Sequence, residues 1–100
     1  MLSNVVIGWQ NCARTTSDLQ TYWLDENHQI ASRGYSGSWG SQSIVAGPLT
    51  PCAQFCATQL GCGAEHRVYY QTGNSCVIQE VRNNGSGWFP GTSITTTANS

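Results

Sequence analysis

The chain has 100 residues and no lysine; Arg14, Arg33, Arg67 and Arg82 stand against Asp18, Asp25, Glu26, Glu65 and Glu80, a net charge of −1. That balance offers no basic stripe for a phosphate backbone or an anionic membrane surface, so neither nucleic acid nor membrane is an expected partner. No apolar run approaches the roughly 20 residues of a spanning helix, and a chain rich in Gly, Ser, Thr, Asn and Gln suits short strands and tight turns rather than a helical bundle.

In chain order, Val5-Val6-Ile7-Gly8-Trp9 predicts an apolar opening strand. No basic segment precedes it and the apolar stretch is too short for a signal peptide, which leaves secreted and cytosolic locations both open. Leu19 to Leu24 then alternates, with Leu19, Thr21 and Trp23 pointing one way and Gln20, Tyr22 and Leu24 the other, a strand pattern. Asp25-Glu26-Asn27 predicts a turn, His28 to Ser32 a third strand, and a Gly/Ser turn ahead of Trp39 leads to a fourth.

The second half follows the same order. Leu19 to Trp23 lies over His66 to Tyr70 at an offset of 47; His28 to Ser32 lies over Val77 to Glu80 at 48, and the turn before Trp39 over the turn before Trp88 at 49. The opening strand lies roughly over Ala53 to Thr58, and Thr72-Gly73-Asn74-Ser75 takes the place of the acidic turn. Gly34, Gly37, Gly40, Gly85, Gly87 and Gly91 punctuate the strands and are expected to supply positive φ. Asn84-Gly85-Ser86 is an N-glycosylation acceptor in a secreted chain and more simply a turn, and the Thr-rich tail from Thr92 finishes a strand.

Two units of nearly 50 residues with four short antiparallel strands each predict an all-β chain of two propeller blades, residues 1–47 and 48–100. An isolated pair of blades exposes two apolar faces, and heterologous association that closes into a ring covers them. Three chains then make a six-bladed β-propeller, a cyclic homotrimer.

Cys12, Cys52, Cys56, Cys62 and Cys76 form an odd set. In an oxidising compartment they give two disulfides and one free thiol; in a reducing one, buried cysteine is simply a small hydrophobe. Cys56, Cys62 and His66 have the last two gaps of a Cys-Cys-Cys-His zinc finger, with Cys52 as a fourth ligand, but the first gap is short and basic residues are missing. Pro51 to Cys62, followed by Tyr69-Tyr70 and Cys76, also resembles the helix and following strands of a PAN/apple domain, which implies a disulfide-stapled interaction module.

Arg67-Val68-Tyr69-Tyr70-Gln71, Ile78-Gln79-Glu80 and Gly87-Trp88-Phe89-Pro90-Gly91 resemble the blades of the fucose-binding β-propeller lectins of fungi and bacteria. The resemblance covers essentially the whole chain and is most specific in the second half. It implies a binding protein for L-fucose or a related sugar on glycans, with no cofactor and no metal. It implies sugar sites between blades, with Arg67 and Glu80 as a polar clamp from one blade and aromatic rings from its neighbour. An arginine donates several fixed bonds, a carboxylate accepts from two hydroxyls, and a ring covers the apolar patch of a galacto-type sugar.

The first repeat has Gln20 and Ser32 at the clamp positions, but Tyr35 and Trp39 at the aromatic ones. One complete site per chain is therefore expected at a subunit interface, from Arg67 and Glu80 of one chain and Tyr35 and Trp39 of the next. Trp88 faces the degenerate clamp, as a structural ring or as part of a second, weaker site. The plainer alternative for Arg67 and Glu80 is a cross-strand ion pair. Trp9, Trp23, Tyr22 and Tyr69 are expected in the core. No Gly-x-Ser-x-Gly, His-Glu-x-x-His or phosphate-loop motif is present, so the chain is not expected to be an enzyme.

Overall fold

A computed structural model describes residues 4–10, 12, 17–49, 54–71 and 77–95. These residues are all-β, with two antiparallel sheets and no helix. The first sheet is a meander of β1 (Asn4–Gln10), β2 (Ser17–Leu24), β3 (Ile30–Tyr35) and β4 (Ser43–Ala46). The second runs β5 (Gln54–Leu60), β6 (Glu65–Gln71), β7 (Val77–Asn83) and β8 (Trp88–Pro90), with the short β9 (Ile94–Thr95) also on β7. β8 pairs with residues 81–83 and β9 with 77–78, so they form one fourth strand, interrupted opposite Gln79 and Glu80.

The acidic turn after β2 is held by Asp25, whose Oδ1 accepts from the amides of Asn27 and Gln29, both at 2.9 Å. Such a side chain supplies the acceptor that a tight turn lacks. The turn at Asn84 to Ser86 is closed in the same way, by the Gly85 amide on Asn83 Oδ1. Thr72 to Ser75, expected as a turn, lies outside the described residues, as does the tail beyond Thr95.

The core lies in the seam between the sheets. Tyr22, Leu24, Ile30, Val45 and Leu49 come from the first sheet and its exit, Val68 and Val81 from the second, ringed by Val5, Ile7, Phe55, Ala57, Tyr70 and Trp88. The alternation in β2 works as expected: Tyr22 and Leu24 are buried, while Leu19 lies on the opposite, solvent face.

The two sheets do not present equivalent faces to this seam. The rung Tyr22↔Ser32 in the first ladder corresponds, at offsets 47 and 48, to Tyr69↔Glu80 in the second. Tyr22 and Ser32 are buried in the seam, whereas Tyr69 and Glu80 share the outer face of the second sheet. The sheets therefore stack back to front, like successive members of a row, rather than face to face about a two-fold axis. Two unlike faces remain outward. The first sheet's carries Val6, Leu19, Trp39 and Ile44, all more than a third exposed, together with Arg33; the second's carries Glu65, Arg67, Glu80 and Arg82.

Several expectations are corrected. Where a PAN-like helix was expected within 51–62, the described residues form a strand, because the polar–apolar alternation of Gln54 to Leu60 makes that segment β5, paired residue by residue with β6. The opening strand is displaced from its expected partner: ladder register matches Val5 with Cys56, not Ala53, because the loop after β1 is longer than the turn 61–64. Gly37, Gly85 and Gly87 have positive φ as expected, but Gly34, Gly40 and Gly91 do not. At Gly34 and Gly91 the missing Cβ provides room instead, for the Gln20 amide and the Glu80 carboxylate respectively.

Cys12 is joined to Cys62 in a disulfide, tying the loop after β1 to the β5–β6 turn across the seam. That removes Cys62 from any zinc set. Alternation also puts Cys56 and His66 on opposite faces of the second sheet, too far round to share an ion. Cys56 is a free, exposed thiol; Cys52 and Cys76 lie outside the described residues. Next to the disulfide, Trp9 packs edge-on against His66 with ring centres 4.9 Å apart, and its indole occupies the space a Cβ on Gly63 would need.

Candidate functional site

The outer face of the second sheet concentrates the polar chemistry of the described residues. β6 contributes Glu65, Arg67 and Tyr69 at alternate positions, and β7 contributes Glu80 and Arg82, so all five side chains emerge on one side. They form a continuous chain of contacts. Arg82 Nη2 donates to Glu65 Oε2 at 2.6 Å, and Arg67 donates to Glu65 Oε1 from Nε at 3.0 Å and Nη2 at 2.7 Å. The Tyr69 hydroxyl donates to Glu80 Oε2 at 2.7 Å, and Arg67 Nη1 is 4.0 Å from that same oxygen.

Arg67 and Glu80 are thus brought together, but not as the short cross-strand pair that was the plainer alternative. Direct cross-strand partners are Arg67↔Arg82 and Tyr69↔Glu80, so arginine and glutamate sit diagonally. Glu80 Oε1 also accepts from the Thr92 amide at 3.1 Å, where the fourth strand is interrupted, and its carboxylate lies over Gly91. A side chain at Gly91 would displace it. The Tyr69 hydroxyl, seconded by the Thr92 amide, holds the Glu80 carboxyl below its usual range. Glu65 is held low in the same sense, first by Arg82 and then by Arg67. Tyr69 is raised, because its proton is shared with Glu80.

A depression of about 260 Å³ opens one rung away, lined by Gln54, Cys56, Tyr69, Gln71 and Ile78 among others. Tyr69 is common to this depression and to the clamp.

Tyr35 and Trp39 form a pair by themselves, bridged backbone to backbone and with rings 5.2 Å apart at 61°. They stand at the exposed end of the first sheet's outer face, where Trp39 is 47% exposed. Within one chain they belong to a different sheet face from Arg67 and Glu80. Trp88, by contrast, lies in the seam, edge-on to Tyr22 at 6.1 Å. Its ladder position, opposite Asn83, corresponds to that of Trp39 opposite Tyr35.

Two residues of this face were not assigned to the binding site from the sequence. Tyr69, expected in the core, points outward; its parity with Arg67 in β6 carried that signal. Glu65 lies two residues before Arg67, a spacing that places it on the same face of any strand. Of the residues expected in the core, Tyr22 is there, while Trp9 and Trp23 are only partly buried.

A scan against models of protein families and a search of curated proteins found no match to this chain.

Proposed function

We propose that this chain is a carbohydrate-binding lectin for L-fucose or a related neutral sugar, and that three copies close head to tail into a six-bladed ring. The sugar sits between Arg67 and Glu80 of one chain and Tyr35 and Trp39 of the next.

The observation that carries this reading is the back-to-front stacking of the sheets. Inside the chain, Trp88 of the second sheet meets Tyr22 of the first. Their ladder counterparts, Trp39 and Tyr69, are left on the two outward faces. Repeating the internal step between chains brings Trp39 against Tyr69, beside Arg67 and Glu80. Where the internal seam has Gln20 and Ser32, the seam between chains has an arginine and a glutamate, which suit sugar hydroxyls. The apolar exposure at Val6, Leu19 and Ile44 supports the same closure, since heterologous contacts of this kind form rings.

The test is a calorimetric titration with methyl α-L-fucoside, and with the galactoside for comparison. Saturation near one sugar per chain, lost by at least about tenfold in Arg67→Ala, is the expected result. Sedimentation should give three times the chain mass of 10.8 kDa. Failure to bind either sugar overturns the lectin reading, and a monomer at high concentration overturns the ring.

A further inference from the structure

We infer that Glu65 positions Arg67 in the proposed site. The inference rests on the lectin reading for its ligand, but its structural half stands on the contacts of Glu65 alone. Each oxygen of this carboxylate serves a different arginine: Oε1 takes Nε and Nη2 of Arg67, and Oε2 takes Nη2 of Arg82. A guanidinium held through Nε and Nη2 cannot swing about its last torsions, because two parallel donors are fixed on one acceptor. The edge turned toward a ligand is Nη1, which faces Glu80, and the guanidinium also hydrogen-bonds the Tyr69 hydroxyl.

Charge follows from the same arrangement. Arg67 and Arg82 are direct cross-strand neighbours, a repulsive placement by itself. Glu65 lies between them and Glu80 beside them, so two positive and two negative groups share the face. The other outward residues of β5 and β6, Gln54, Cys56, Thr58, Leu60 and Gln71, add no lysine, arginine or carboxylate. Glu65 thus balances both arginines while orienting the nearer one, and the facing chain would add a further cation, Arg33, which shares the first sheet's outer face with Tyr35.

The residue is a positioning residue, so the test separates Arg67 geometry from general stability. The Arg67 Nε–H resonance, identified by its loss in Arg67→Lys, is followed by NMR in the wild type, Glu65→Gln and Arg82→Ala. The three proteins are titrated at one ionic strength with methyl α-L-fucoside. In the wild type and Arg82→Ala the Nε–H should exchange slowly, and in Glu65→Gln at least about tenfold faster. Fucoside affinity should fall about tenfold in Glu65→Gln and stay within about twofold in Arg82→Ala. An Arg67 Nε–H unchanged in Glu65→Gln, or equal losses of affinity in the two variants, overturns the inference. A wild type that ignores fucoside while the Nε–H responses hold overturns the lectin reading and leaves Glu65 in its role.

Discussion

Tyr22 and Tyr69 occupy the same rung of their respective ladders, one strand in from the edge, and stand in opposite surroundings. Tyr22 is 1% exposed in the seam, with Trp88 edge-on and no hydrogen-bond partner for its hydroxyl among the described residues. Tyr69 faces outward and donates to Glu80. Burial raises the Tyr22 phenol strongly, whereas at Tyr69 the upward shift comes mainly from the shared proton. The difference teaches that a repeat can reuse a strand pattern while reassigning each face. Back-to-front stacking places one copy of the rung in the core and leaves the other free for chemistry. Gln20 and Ser32 belong with a filled core, and Arg67 and Glu80 with the outward face proposed to receive a sugar.

The largest change should come from releasing the sheets from one another. The Cys12–Cys62 bridge spans 50 positions, and its loss in Cys12→Ser/Cys62→Ser should cost about 4 kcal/mol in the chain-entropy picture. The denaturant midpoint in oxidising buffer reads this directly, and a midpoint unchanged from the wild type would mean that the seam alone sets the stacking.

Next in size is a contrast between matched isoleucines. Ile30 is fully buried in the seam, while its ladder counterpart Ile78 lies on the outer face. Ile30→Ala should cost about 3 kcal/mol, and Ile78→Ala below about 1 kcal/mol in dilute protein. Equal losses in urea melts would remove the distinction between core face and outer face.

The two tyrosines themselves give a smaller, signed effect. Tyr22→Phe deletes a buried hydroxyl without a partner and should leave stability unchanged or raise it by up to about 1 kcal/mol. Tyr69→Phe should leave thermal stability nearly unchanged but weaken fucoside binding severalfold, because Glu80 loses its closest donor. A destabilised Tyr22→Phe would show that the phenol has found a partner.

The smallest effect is on acid stability. Glu65 and Glu80 are held below their usual range, so the folded state favours their ionised forms. Their contribution is present above the ordinary glutamate value of about 4.3 and fades as pH falls through the lower folded values. Glu65→Gln/Glu80→Gln should therefore lose less stability between pH 5 and pH 3 than the wild type does, as thermal melts at a series of pH values would record. His66 acts at higher pH. Burial lowers it, so its cost to the fold appears as pH drops below about 6.5, separately from the carboxylates.

Much of the secondary structure was legible in the residues. Alternation in Leu19 to Leu24 determined which residues of β2 share a side, and the offsets of 47 and 48 between halves match the correspondence of β2 with β6 and of β3 with β7. The β1 offset was not legible, because a loop can lengthen without leaving a trace in strand pattern. Gly91 was read for its backbone freedom, and what it supplies is space for Glu80, a contact between strands that no local signal encodes.

For the site, the sequence by itself determined that Arg67 and Glu80 emerge on adjacent strands and that Tyr35 and Trp39 form an aromatic pair. These follow from side-chain parity and short hairpins, both local. Only the tertiary structure decided that Tyr69 joins the clamp, that Glu65 is the partner of Arg67, that Cys12 pairs with Cys62, and which face of each sheet is buried. Parity says which residues share a face but not which face meets the neighbour. That choice depends on how two sheets stack, a long-range arrangement set by the summed burial of both.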